Sequence, residues 1–139
     1  MIDSSASLEQ VQRIFSNDRF ATETTGCRVV EAGPGHAVCE LDVCERHLNE
    51  KGGVMGGFTL ADFACAVASN IGEEPTVSVA FSIQYLSAVK GKRLIATADA
   101  RKNGRTLGFY DCVVRDDLGR DIAHVTGTCM HTAPRPTEA

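Results

Sequence analysis

A chain of 139 residues, 43% hydrophobic and 23% charged, holds one domain's worth of core, which excludes a two-domain layout. The formal net charge of -4 gives no general reason to bind nucleic acid or an anionic membrane, so an anionic ligand must be held by a local basic patch. The N-terminus MIDSSASLEQ is polar and acidic, and no apolar run approaches the roughly 20 residues of a membrane span, so a cytoplasmic protein is expected.

Leu8, Val11, Ile14 and Phe15 recur at helical spacing within residues 7–17 and predict a short amphipathic helix, a lid carried on the first 24 residues. In CRVVEAGPGHAVCELDV two extended runs flank the turn signal GPG, and Ala37, Cys39, Leu41 and Val43 alternate with Val38, Glu40 and Asp42, which predicts a hairpin. Residues 58–71 lack proline and glycine and are apolar on almost every side, as in a helix buried all round. VSVAFSIQY, residues 77–85, alternates with period 2, placing Val77, Val79, Phe81, Ile83 and Tyr85 on one face and Ser78, Ala80, Ser82 and Gln84 on the other. The remainder reads as three strands joined at Asn103-Gly104 and at residues 116–119, both hairpin signals, and residues 133–139 form a fraying tail.

A hairpin, a buried helix and four further strands in a meander make an α+β domain in which an antiparallel sheet curls around a central helix, the architecture called a hotdog. Open antiparallel edges are commonly covered by a second copy, so a homo-oligomer is expected, a dimer or a dimer of dimers. The six cysteines form no CxxC and lie singly in apolar segments, as reduced core thiols do. They and the four histidines show no metal-ligand spacing, and no metal is expected.

The chemistry concentrates in HLNEKGGVMGGFTLADFACAVASN, residues 47–70. On a helix, Thr59, Asp62, Ala66 and Ser69 share one stripe, while Leu60, Phe63, Ala64 and Val67 face elsewhere. A carboxylate in an apolar setting is raised in pKa by desolvation, as a general base or nucleophile working near neutral pH requires; capping or pairing with an arginine is the structural alternative. Glycines directly ahead of a helix leave backbone N–H groups available to a developing oxyanion or serve only as a turn.

This stretch resembles the phenylacetate-degradation type of acyl-CoA thioesterase in the hotdog superfamily, whose motif runs approximately HxNxxGxxHGG and, after a spacer, LAD. The resemblance covers roughly residues 25–132 and implies an enzyme that hydrolyses a small or medium acyl-CoA to acid and CoA with no added cofactor. By that resemblance Asp62 acts on the thioester carbonyl through an activated water or by direct attack, and Asn49 helps to position it. Ser78 matches a hydroxyl that binds the nucleophilic water and is supplied from the facing subunit. Two departures stand out: Met55 replaces the histidine of HGG, and the spacer before LAD is about two residues short. Counting from the motif makes Gly56 the oxyanion donor; counting back from Asp62 makes it Val54.

Coenzyme A carries several phosphate charges, for which Lys90, Arg101, Lys102 and Arg105, with Lys92 and Arg93, are candidates. Met55, Gly57, Phe58, Leu60 and Phe63 are candidates to line an acyl pocket. The rival reading is a binding protein for CoA or acyl-CoA, catalytically weakened by the loss of the histidine at 55; a dehydratase of the superfamily is a third.

Overall fold

The computed structural model describes residues 2–72 and 75–133, so most of the tail expected to fray lies outside the described residues. The chain opens with α1 (Leu8–Phe15) and a π-helical turn (Phe20–Thr25). The hairpin β1 (Cys27–Gly33) and β2 (His36–Asp42), a 3-10 turn (Glu45–His47) and the long helix α2 (Gly57–Asn70) follow, and then β3 (Thr76–Tyr85), β4 (Arg93–Asn103), β5 (Leu107–Asp116) and β6 (Asp121–His131). Ser7 and Gln10 form the capping box that starts α1.

All six strands join one antiparallel sheet in the order β1-β2-β4-β5-β6-β3, curled around α2 as a hotdog. Ala37, Cys39 and Leu41 of β2 and Ala96 and Ala98 of β4 are wholly buried, as are Ala61, Ala64 and Ala68 of α2. Small residues on both partners let helix and sheet approach closely, and α2 packs chiefly over β2 and β4. The half of the sheet that holds β6 and β3 is covered less, and Val77, Val79 and Tyr85 of β3 stay 47%, 57% and 72% exposed.

The two sheet edges differ. Along β1 runs α1, with Phe15 edge-on to Phe63 and Gln12 Nε2 donating to the Val29 carbonyl. Leu8 and Ile14, expected on the buried face of this helix, are 40% and 44% exposed; Val11 and Phe15 make the contact with the core. Two further expectations need correction. The last four strands are not one meander, because β3 crosses to the far edge and pairs with β6; the segment between β3 and β4, residues 86–92, is too long for a tight hairpin. Nor is the alternation of β3 continuous. The register slips between Ser78 and Ala80, so Val79 is a bulge residue, and Ser78 pairs with Cys129 on the inner face that Val77 was expected to occupy.

All six cysteines are free and five are buried, burial pushing the Cys27 thiol up to about 12, whereas Cys44 is exposed rather than in the core. Among the described residues no cluster of His, Cys, Asp or Glu could hold a metal ion, and no helix is long and apolar enough to cross a membrane.

Gly127 of β6 pairs with Phe81, and a Cβ there would come within 2.5 Å of the ring. Gly127→Ala is therefore expected to destabilise the fold by about 1–3 kcal/mol, measured by urea unfolding, with Phe81→Leu in the same chain recovering part of the loss.

Candidate active site

Between the 3-10 turn and α2 the chain doubles back on itself. Asn49 N–H donates to the Gly53 carbonyl at 2.8 Å, Met55 N–H donates to the His47 carbonyl at 2.6 Å, and Leu48 and Val54 are bridged between these bonds. Asn49 Oδ1 closes the turn from inside by accepting the N–H groups of Lys51 and Gly53. His47 is buried beneath: Nδ1 accepts the Cys44 N–H at 2.9 Å, and Nε2 faces the Thr25 carbonyl at 2.7 Å, which defines the neutral Nε2–H tautomer. Gly56 follows as the N-cap of α2 with φ 102°, where a Cβ would also approach Leu41 Cδ2 to 3.2 Å. Glycine is required there on both counts.

Gly56 keeps its place directly before the helix, and Val54 is taken up by the bridge to Leu48. No side chain caps α2 and no acidic residue lies in its first turn, so its leading N–H groups are available to an anion or oxyanion. They border a cleft of about 630 Å³ between the glycine-rich loop and residues 87–90, floored by Leu94 and Ile122. Asn49, Met55, Gly56, Gly57, Phe58 and Lys90 all line it. Phe58 meets Phe81 edge to face, with 6.4 Å between ring centroids.

Asp62 stands elsewhere on α2. Six residues beyond Gly56 amount to about 9 Å of rise and roughly 240° of rotation, and Asp62 does not line the cleft. It lies on the one partly exposed stripe of the helix, with Thr59, Ala66 and Asn70; Ser69, expected there, is fully buried and hydrogen-bonded to Thr76. This stripe faces β3, where Ser78 Oγ donates to Asp62 Oδ1 at 3.5 Å. The serine expected from a facing subunit therefore reaches the carboxylate of its own chain, because the Val79 bulge turns it inward. Asp62 forms no ion pair among the described residues. Burial raises its pKa from the usual carboxylate value, the Ser78 hydrogen bond opposes that shift, and the nearby charge of Asp18 adds to it.

Several candidates fall outside this geometry. Phe63 and Leu60 are 2% and 0% exposed and pack in the core, turned away from both cleft and carboxylate. Asn49 hydrogen-bonds the loop rather than Asp62. Arg101, seven residues along β4 from Leu94 and so ~23 Å distant, pairs with Asp111 on the outer face of the sheet. Lys102, opposite Phe109, and Arg105, in the following turn, share that end of the sheet. Lys51, Val89, Leu94 and Ile122 line the cleft without having been singled out in the sequence. They gather from four separate segments, and only the glycines around Lys51 marked any of them.

The model of the Thioesterase superfamily matches residues 52–123. Acyl-coenzyme A thioesterase 13 of Homo sapiens is 35% identical over 115 residues, 78% of this chain and 82% of that protein. The structure of the PaaI protein from the phenylacetic acid degradation operon of E. coli superposes with a TM-score of 0.82 at 25% identity, covering 91% of this chain and 94% of the other. A hypothetical thioesterase protein of Streptococcus pneumoniae, solved with coenzyme A, superposes with a TM-score of 0.78 at 25% identity over 88% and 99%.

Ser78→Ala is expected to raise the Asp62 pKa further, which a carbon NMR titration of the carboxyl measures, whereas deleting Val79 leaves Ser78 opposite Cys129 in an unbroken β3–β6 register and moves it little. Folding raises this pKa, so the ionised carboxylate costs stability once pH rises past the unfolded value near 3.8. Asp62→Asn is therefore expected to stabilise the protein at pH 7 by a few tenths to about 1 kcal/mol, read by urea unfolding, and to lose that advantage toward pH 4.

Proposed function

The chain belongs to the thioesterase superfamily, and from that premise we propose that it hydrolyses small or medium acyl-CoA thioesters to the free acid and CoA, with Asp62 driving attack on the thioester carbonyl. The observation that carries the role of Asp62 is its setting: a carboxylate on the one open stripe of a buried helix, paired with no cation among the described residues, raised in pKa and touched by a serine hydroxyl. A carboxylate held for structure is ordinarily neutralised by a cation or capped by backbone N–H groups.

In this mechanism Asp62 takes a proton from a water as that water's oxygen bonds to the thioester carbon, and Ser78 orients the pair. The oxyanion that forms accepts from the Gly56 N–H and the uncapped start of α2. When the carbon–sulfur bond breaks, the electron pair leaves with sulfur, and the proton held by Asp62 is available to the thiolate. No metal or further cofactor enters these steps. Lys51 and Lys90 on the two lips of the cleft suit the phosphates of CoA.

The Gly56 and Asp62 halves lie on different faces of α2, so we take the working unit to be at least a dimer in which the loop of one copy meets the carboxylate of the other. The open edge of β3, with its exposed Val77, Val79 and Tyr85, supports that assembly, while α1 protects β1. The same reading keeps the protein in the cytoplasm. Met55, in the place of the motif histidine and 59% exposed in the cleft, favours a second reading, a CoA-binding protein with little turnover.

Thiol release from short, long and aromatic acyl-CoAs separates the two. Wild type is expected to turn over at least one class, Asp62→Asn to lose 100-fold or more, on the order expected for a general base, and kcat/KM to fall on acidification with an inflection above 3.8. Stabilisation by CoA with no turnover in either form would establish the binder instead.

A further inference from the structure

We propose that Asp116 is a positioning residue for substrate binding: by holding the backbone of Lys90 and Gly91 it fixes the lip of the cleft from which Lys90 meets the phosphates of coenzyme A. The inference rests on the acyl-CoA reading above.

Asp116 ends β5, is 1% exposed and forms no ion pair among the described residues. Its charge is satisfied by main chain alone. Oδ1 accepts the N–H groups of Leu118 at 3.1 Å and Arg120 at 3.0 Å, within its own turn. Oδ2 reaches out of the turn to the N–H groups of Lys90 and Gly91, both at 3.1 Å. The exposed Asp117 continues the pattern, its Oδ1 accepting from Lys92 at 2.8 Å and Arg93 at 3.3 Å. Four consecutive backbone N–H groups, residues 90–93, are thus held by two neighbouring carboxylates.

A hairpin needs no such device. The β5–β6 turn already closes through Asp116 N–H to the Arg120 carbonyl and Gly119 N–H to the Asp116 carbonyl. A small polar residue at 116 would serve that turn without the cost of burying a charge. What the buried carboxylate adds is the link to residues 90 and 91, and residues 87–90 are the wall of the cleft that faces the glycine-rich loop. Gly91 fits the clamp because a Cβ there would lie 1.8 Å from Asp117 Oδ1. Burial alone raises the Asp116 pKa, yet the four N–H groups together hold it below the usual carboxylate range. A lysine on a free loop loses backbone as well as side-chain entropy on meeting a phosphate; on a fixed lip only the side chain orders.

The test is a double-mutant cycle of Asp116→Asn and Lys90→Met, read as KM and kcat for the best acyl-CoA and as the Kd of free CoA by calorimetry. Asparagine places an NH2 among backbone donors and breaks one arm of the clamp. Each single variant is expected to raise KM and Kd about tenfold with kcat within about twofold, and the pair to be no worse than either alone. Additive losses, a fall in kcat at constant KM, or unchanged CoA affinity in Asp116→Asn would overturn the proposal. Should Asp116→Asn not fold, Asp117→Ala takes its place, since it removes the oxygen that holds Lys92 and Arg93: a raised Kd that disappears in the Lys90→Met background supports the clamp, and wild-type affinity overturns it. Calorimetry with free CoA separates this inference from the hydrolase reading. An inactive wild type that binds CoA overturns that reading and leaves the cycle to decide; a wild type that does not bind CoA overturns the clamp.

Discussion

Eight of the fourteen residues of α2 are buried, and a helix that apolar on nearly every side has to be enclosed. A six-stranded sheet one side chain thick can do so only by curling, and alanines on α2, β2 and β4 bring the two surfaces into contact. Enclosure is incomplete by construction, since α2 sits over β2 and β4 and leaves the stripe of Thr59, Asp62, Ala66 and Asn70 toward β3. On this helix a carboxylate can stand only on that stripe without being either neutralised or lost in the core. The packing of α2 thereby sets the place and the raised pKa of Asp62 together.

Two local irregularities then aim the functional groups. At Gly56 the backbone takes a left-handed conformation against Leu41, and the chain enters α2 with its first N–H groups uncapped. At Val79 an extra residue in β3 reverses the alternation, so a serine that period-2 reasoning sends to the opposite face turns toward Asp62. Backbone irregularities of this kind, a left-handed residue and a bulge, are over-represented next to functional sites. His47 supports the first of these: its ring ties the 3-10 turn to Thr25 beneath Gly56.

Much of this was legible in the sequence wherever the signal was local. Ala37, Cys39 and Leu41 alternate in the chain and are all buried; Asn103-Gly104 and the Asp116 turn close hairpins; the stripe through Thr59, Asp62 and Ala66 is open as its spacing implied. What could not be read depends on distant segments meeting. The position of β3 at the far edge is set by a crossover with no local mark, and the bulge at Val79 becomes visible only against its partner strand. Arg101, Lys102 and Arg105 looked equivalent to Lys90 as basic turn residues, yet β4 carries them to the other end of the sheet. Asp116 was read as a turn former, which it is, but its second oxygen serves a loop 26 residues away.

The proposed assembly rests on the same geometry. The chain protects β1 with its own α1 and spends Gln12 on a β1 carbonyl, whereas β3, the edge beside Asp62, keeps its main chain open and its apolar side chains exposed. An edge of this kind invites another strand, and a second β3 related by a two-fold axis is a partner always present at matching concentration. Such pairing would exclude water from the face of α2 that carries the carboxylate and bring in donors that one copy cannot supply from its own Gly56. In the proposed enzyme the unprotected edge and the incomplete site are therefore one requirement, and a variant that blocks β3 pairing loses turnover even with Asp62 and Ser78 intact.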